Sequence, residues 1–136
     1  MSSIGTTGFV NGCFDVLHFG HLRLLEYAKS RSDFLIVAID SDTRVRNNKG
    51  PNRPCNNQQI REYFLSSLRF VDSVEVFETD KQLEGLVAKY SPDIMVVGSD
   101  YKDRNVIGSK HAKRVEFFEK INGYSTTQIL QHTSDR

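Results

Sequence analysis

With 136 residues the chain is the size of one domain, and such a chain buries a little under ~70% of its unfolded surface, enough for a core without disulfide or metal staples. Eighteen Lys plus Arg against seventeen Asp plus Glu leave a formal net charge of +1, without the basic excess of a dedicated nucleic-acid binder. Hydrophobic residues at 38% and charged residues at 26% exclude a disordered tail and fit a soluble globular domain.

Residues 1–8 carry no basic start followed by an apolar stretch, so no secretory leader is expected. Gly8-Phe9-Val10-Asn11-Gly12 reads as a short buried strand ending at a glycine. The spacing of Leu22, Leu25, Tyr27 and Ala28 predicts a helix over about 20–31. Phe34-Leu35-Ile36-Val37-Ala38-Ile39 is a continuous apolar strand of the kind buried on both faces of a parallel sheet, and far below the ~20 residues of a membrane helix. Residues 41–57 are polar, with Asn47, Asn48, Gly50, Pro51 and Pro54, and read as a long loop of functional length. Asn56 or Asn57 caps a helix to about residue 70, with Ile60, Phe64, Leu65 and Leu68 facing inward. A third strand follows over 73–77, and Thr79 or Asp80 starts a third helix that ends near Tyr90, before Pro92. Ile94-Met95-Val96-Val97 is a fourth strand ending at Gly98, Val115-Glu116-Phe117-Phe118 a fifth, and Ser125 or Thr126 caps a short final helix.

Alternating strands and helices predict a single α/β domain over 1–136, with its core at about 8–130: a Rossmann-like three-layer sandwich around a mostly parallel five-stranded sheet. Ligands of such sheets gather at the carboxyl ends of the strands. The polar residues there fall in 11–21, 40–54, 98–102 and 122–127, four distant segments expected to converge on one rim. Cys13 and Cys55 form neither a zinc pattern nor a disulfide framework, so a reducing, cytoplasmic setting is expected.

The strongest local signal is Gly12-Cys13-Phe14-Asp15-Val16-Leu17-His18-Phe19-Gly20-His21, directly after the first strand. Gly20 lets backbone approach a ligand without an intervening side chain, and a helix N-terminus offers free N–H groups and positive dipole to a phosphate. His18 and His21 there can donate to phosphate oxygens and to charge developing during transfer. Two histidines at this spacing are also compatible with metal ligation, or with capping and packing alone.

This motif resembles the Gly-x-Phe-Asp-x-x-His-x-Gly-His signature of the cytidylyltransferase-like nucleotidyltransferases. Lys49-Gly50-Pro51-Asn52-Arg53-Pro54 resembles that family's Lys-Gly-x-x-Arg-Pro loop, and Leu68-Arg69-Phe70-Val71-Asp72 its Leu-Arg-x-Val-Asp helix end. Val97-Gly98-Ser99-Asp100-Tyr101 is similar to its Gly-Gly-Asp-Tyr strand end with Ser99 at the second glycine, and Gly123-Tyr124-Ser125-Thr126-Thr127 to its Gly-Phe/Tyr-Ser-Thr-Thr loop. The motifs stand in the family's order and resemble most the adenylyltransferase domain of ADP-heptose synthases, with glycerol-3-phosphate cytidylyltransferase next. Asn122 departs from both subgroups, which carry a glutamate before the corresponding glycine.

The resemblance implies an enzyme that joins a nucleoside triphosphate, ATP first and CTP second, to a phosphorylated acceptor such as heptose 1-phosphate or glycerol 3-phosphate, releasing pyrophosphate. It implies catalytic roles for His18, His21 and Lys49, the last reaching phosphate from a mobile loop. It implies nucleotide contacts from Gly12, Phe14, Asp15, Gly20, Gly98, Asp100, Tyr124, Ser125, Thr126 and Thr127. Arg53, Arg61 and Arg69 are candidate acceptor- or phosphate-binding groups, with a surface salt bridge as the competing account of Arg61 and Arg69. Asp15 equally fits a structural carboxylate on loop amides. Mg2+ would enter on the triphosphate, held by phosphate oxygens and water rather than by a protein cage. The expected partners are these small molecules, not nucleic acid or membrane, and a homodimer is compatible with the size. A module that kept the fold and binds nucleotide without turnover is the reading from another class.

Overall fold

The computed structural model describes residues 5–98 and 105–119. The predicted final helix, with Tyr124, Ser125, Thr126 and Thr127, lies outside them, as do Asp100 and Tyr101.

Five strands form one sheet: β1 (Thr7–Gly12), β2 (Phe34–Asp40), β3 (Ser73–Phe77), β4 (Ile94–Gly98) and β5 (Val115–Phe118), in the order β3-β2-β1-β4-β5. Every pairing is parallel, with Thr7 opposite Phe34, Ile36 opposite Ser73, Gly8 opposite Ile94 and Met95 opposite Val115. Because side chains alternate across a strand, β2 feeds two cores at once. Leu35, Val37 and Ile39 join Leu25 and Ala28 of α1 (Phe19–Ser30) and Leu65 of α3 (Gln58–Ser66) on one face. Ile36 and Ala38 join Leu83 and Val87 of α4 (Asp80–Tyr90) on the other. These are the three expected layers. On the α4 face, Gly108 has φ +81 and a Cβ there would lie 2.7 Å from Val87 Cγ2, so this turn reaches the helix only as glycine.

Two expectations need correction. Residues 41–57 are not one loop, because α2 (Asp42–Lys49) occupies the first half. Ser41 caps it by accepting the Arg44 N–H at 3.2 Å, and Gly50 with φ +108 ends it. Its single buried residue is Val45, so no apolar stripe reveals a helix that is held by its cap and its polar ties. The next helix stops at Ser66 rather than near residue 70. Asn57 caps it through the Ile60 N–H at 2.9 Å, but its inward face is Arg61 and Leu65, while Ile60 and Phe64 are exposed.

At the amino edge of the sheet one device recurs. An aspartate precedes each of three strands, its backbone N–H donating to a carbonyl and its carboxylate accepting the N–H of the same residue. Asp33 does this with Thr6 at 2.7 and 2.8 Å, Asp93 with Thr7 at 2.9 and 2.8 Å, and Asp72 with Leu35 at 3.0 and 2.7 Å. Each pair fixes one crossover to the strand beside it.

Burial pushes the Asp72 carboxyl up, but the Lys29 ammonium and the Leu35 N–H outweigh it and hold the group below its usual range. The Thr7 N–H and Lys113 do the same for Asp93. A carboxyl depressed in the folded state contributes stability above its unfolded value near ~3.9 and loses it as pH falls through the folded value. Thermal midpoints should therefore drop below about pH 4, and Asp72→Asn with Asp93→Asn should flatten that acid limb. Leu25→Ala, emptying a fully buried site, should cost about 2–5 kcal/mol in urea unfolding.

Candidate active site

The strand order reverses at β1. The chain builds β2 and β3 to one side and then returns to place β4 on the other, so the carboxyl ends of β1 and β4 flank the crevice where open α/β sheets bind ligands. Gly12 ends β1 and Gly98 ends β4. Among the described residues the buried polar or charged side chains are Asp15, Ser41 and Arg61, and all three lie just beyond the carboxyl ends of β1 and β2 or bond to residues there.

Asp15 is 2% exposed. Its carboxylate accepts from Arg53 Nε, the Cys55 N–H and the Asn56 N–H, each at 2.9 Å. Asn56 Nδ2 donates back to the Asp15 carbonyl at 2.8 Å. Burial alone would raise this carboxyl, but the Asn56 and Cys55 N–H groups and the Arg53 guanidinium hold it below the usual range. The structural account of Asp15 is thus the one its bonds display: it clamps the segment before α3 onto the loop after β1. Arg53 Nη2 is buried and, among the described residues, has no hydrogen-bond partner.

Phe14 takes φ +50, a region that non-glycine residues rarely enter. That turn folds its ring back over β1, where a Cβ on Gly12 would come within 3.0 Å of Phe14 Cε2. Gly12 makes room for Phe14, and the ring in turn lies 5.0 Å from that of His21.

His18 is the N-cap of α1 and His21 its third residue. The His21 N–H points at His18 Nδ1 at 3.4 Å and the His18 N–H at His21 Nδ1 at 3.3 Å, a reciprocal capping box with long bonds. The rings stack with centroids 3.7 Å apart. Each Nδ1 acts as acceptor, so each neutral ring carries its proton on Nε2. The cap therefore uses Nδ1 of each ring, not Nε2. Among the described residues there is no group of three or more His, Cys, Asp or Glu that could hold a metal ion. Gly20 lies between His18 and His21 in the first turn.

Lys49 is the exposed last residue of α2, not part of a mobile loop. Burial raises the Cys13 thiol and the Asp40 carboxyl, with the Lys49 charge among the smaller influences opposing it at both. Arg61 is no surface salt bridge: its side chain is 0% exposed and its nitrogens are committed to Asn56, Cys13, Asp40 and Asp42. Arg69 is not brought to the rim. It lies beyond the end of α3, near the amino end of β3, exposed and 5.3 Å over the Phe70 ring. Asp40 and Asp42 fall in the segment expected at the rim, and Asn56 was a cap candidate, but the sequence reading gave none of them a role in the site. Asp40 and Arg44, four apart and bonded at 3.3 Å, carried a readable signal in their spacing.

A family model described as cytidylyltransferase-like matches residues 9–132. The chain belongs to the cytidylyltransferase-like family. Bifunctional protein HldE of Campylobacter jejuni strain RM1221 is 44% identical over 128 residues, 94% of this chain and 28% of that protein. Bifunctional protein HldE of a Nitratiruptor species is 47% identical over 123 residues, 90% of this chain and 26% of that one. The chain thus spans little more than a quarter of these curated relatives. The crystal structure of the lipopolysaccharide core biosynthesis protein from Thermoplasma volcanium GSS1 superposes with a TM-score of 0.72 at 26% identity, covering 87% of this chain and 99% of that one. The bifunctional NMN adenylyltransferase/ADP ribose pyrophosphatase from Francisella tularensis shares the fold at a TM-score of 0.65 and 15% identity, covering 97% of this chain and 43% of that one.

Removing Asp15 leaves Arg53 and two N–H groups without their acceptor. Asp15→Ala should cost about 3–5 kcal/mol in urea unfolding, the range for breaking one side of a buried charge pair. A loss under about 1 kcal/mol would show that the clamp is dispensable.

Proposed function

We propose that this domain transfers an adenylyl group from ATP to a phosphorylated sugar of the heptose 1-phosphate type, releasing pyrophosphate. The observation that carries the reading is the histidine pair at the N-terminus of α1. Both Nδ1 atoms accept in the cap, which puts the proton of each neutral ring on Nε2, a donor suited to anionic oxygen beside the strand-order reversal. The similarity to HldE proteins and to a lipopolysaccharide core biosynthesis protein supports a sugar phosphate as acceptor.

In this reading a phosphate oxygen of the acceptor attacks the α-phosphorus, a new P–O bond forms, and the bond to the β-phosphate oxygen breaks. A phosphate monoester has its second pKa near ~6 and is largely dianionic at neutral pH, so no general base is needed. His18 and His21 donate through Nε2 to oxygens of the α- and β-phosphates, with the helix N-terminus behind them, and stabilise charge as it moves onto the leaving group. Lys49 meets phosphate from the end of α2, and Arg53, held by Asp15 at 2.9 Å, adds positive charge to the same segment. Gly12, Phe14 and Asp15 shape the floor, with Gly20 and Gly98 at its edges. The family motifs extend the nucleotide site to Asp100, Tyr124, Ser125, Thr126 and Thr127. Mg2+ would accompany the triphosphate on its own oxygens and water, in a cytoplasmic setting.

The test is pyrophosphate release with Mg2+, crossing ATP, CTP, GTP and UTP with sugar 1-phosphates and polyol phosphates. ATP with a heptose 1-phosphate should turn over best; CTP with glycerol 3-phosphate as the sole active pair would move the chain to the other subgroup. Triphosphate binding with no turnover on any acceptor would favour the module reading. His18→Ala and His21→Ala should each lower kcat/KM by about 10²–10³, the loss typical of one oxyanion donor. Unchanged turnover would remove these roles.

A further inference from the structure

Arg61 reaches the rim from α3, with its side chain fully buried. Nε donates to the Asn56 carbonyl at 2.9 Å, Nη1 to the Cys13 carbonyl at 2.9 Å and the Asp40 carbonyl at 2.7 Å, and Nη2 to Asp42 Oδ1 at 2.8 Å. These acceptors belong to three pieces of chain, Asp40 and Asp42 sharing the junction between β2 and α2. Cys13 begins the loop that leads to the histidine pair, Asp40 ends β2, Asp42 opens the helix that ends at Lys49, and Asn56 follows the segment carrying Arg53. A guanidinium is planar and its N–H groups form a rigid fork, so one side chain fixes the three pieces in a common frame.

We infer that Arg61 is a positioning residue that sets the alignment of the histidine pair against Lys49 and Arg53, and hence of one substrate's phosphates against the other's. It rests on the nucleotidyl-transfer reading for its consequence, and it replaces a ligand contact by Arg61 with an action through these neighbours. The apolar core secures the loop after β1 through Phe14 and Leu17, but α2 sends inward only Val45, so the polar ties of Arg61 carry the alignment between them. The histidine cap adds nothing between them, since its two bonds are internal to the start of α1. Arg61 and the Asp15 clamp together tie the loop that leads to the histidine pair to the segments carrying Lys49 and Arg53. Losing a rigid spacer leaves each substrate bound but out of line, and a displacement of about 1 Å costs on the order of 10²-fold in rate.

The expected signature is a split between kcat and KM. In Arg61→Lys, ATP and acceptor KM should stay within about 3-fold while kcat falls about 100-fold, measured where circular dichroism and urea titration show the variant fully folded. Asp42 supplies gentler variants, since its side chain is 22% exposed. Asp42→Asn keeps an oxygen for Nη2 and should keep most of kcat, whereas Asp42→Ala should lose about 10-fold at unchanged KM. If Arg61→Lys does not fold, the Asp42 pair decides alone. Folded variants with kcat within about 3-fold of wild type, or losses confined to KM, overturn the proposal.

A wild-type protein with no turnover on any substrate pair would count against the nucleotidyl-transfer reading, not against the alignment. In that case Cys13 reports the frame, with exposed Cys55 changed to serine throughout. Iodoacetamide should alkylate Cys13 at least about 10-fold faster in Arg61→Lys than in the parent at equal global stability, because opening the loop exposes the thiol. Equal rates would show that Arg61 does not hold this loop.

Discussion

A buried ion must have every hydrogen-bonding atom matched, or the structure around it carries several kcal/mol of unfavourable desolvation. Two such ions, the Asp15 carboxylate and the Arg61 guanidinium, stand at the carboxyl end of this sheet, and the local backbone is arranged to satisfy them. Asp15 draws the 53–56 segment onto the loop after β1, and Arg61 collects carbonyls from both sides of the same junction. The two share neighbours, since Asn56 gives its N–H to Asp15 and its carbonyl to Arg61. The geometry of the rim follows from matching these charges rather than from apolar contact.

The opposite edge uses carboxylates differently. Asp33, Asp72 and Asp93 each bind the backbone of one neighbouring residue in a two-bond pair, near solvent and next to the strand they introduce. Such pairs set strand register and ask nothing of a ligand. The same residue type thus anchors secondary structure at the amino edge and organises loops at the carboxyl edge. What separates the two roles is burial: Asp15 is almost wholly enclosed, whereas Asp72 keeps a side chain 30% exposed.

The strands were legible because β2 and β4 are apolar runs and β1, β3 and β5 short apolar-rich segments between turn residues, and the first histidine motif because it follows a strand and opens a helix. The family was legible because five separate motifs stand in order. α2 was not, since a helix with one buried side chain has no apolar period to read, and its cap Ser41 looks like any loop serine. The inward face of α3 was misread for a related reason. Periodicity favoured Ile60 and Phe64, but the unmatched carbonyls of three loops select Arg61 for the interior. A sequence does not display backbone acceptors awaiting a donor, so a buried arginine on a helix looks like a surface one. Arg69, in the family-like helix end, shows the converse: its motif was recognisable, but helix direction carries it to the edge of the sheet away from the histidines.

The cations of the rim divide by chemistry. Arg44 bridges Asp40, the Glu78 carbonyl and Asp80, Arg53 grips Asp15 through Nε, and Arg61 is fully engaged. These planar forks suit acceptors that stay where they are. Lys49 is of another kind: exposed at a helix end and, among the described residues, in no ion pair. An ammonium on a flexible stem is a point charge without a fixed fork, able to follow a phosphate whose oxygens change position as bonds form and break. Under the proposed reaction, fixed guanidiniums hold the frame while the movable ammonium and the histidine Nε2–H donors meet the moving charge. The rim therefore needs both a rigid part and a compliant part, and the burial of Arg61 beside the exposure of Lys49 supplies them on adjoining helices.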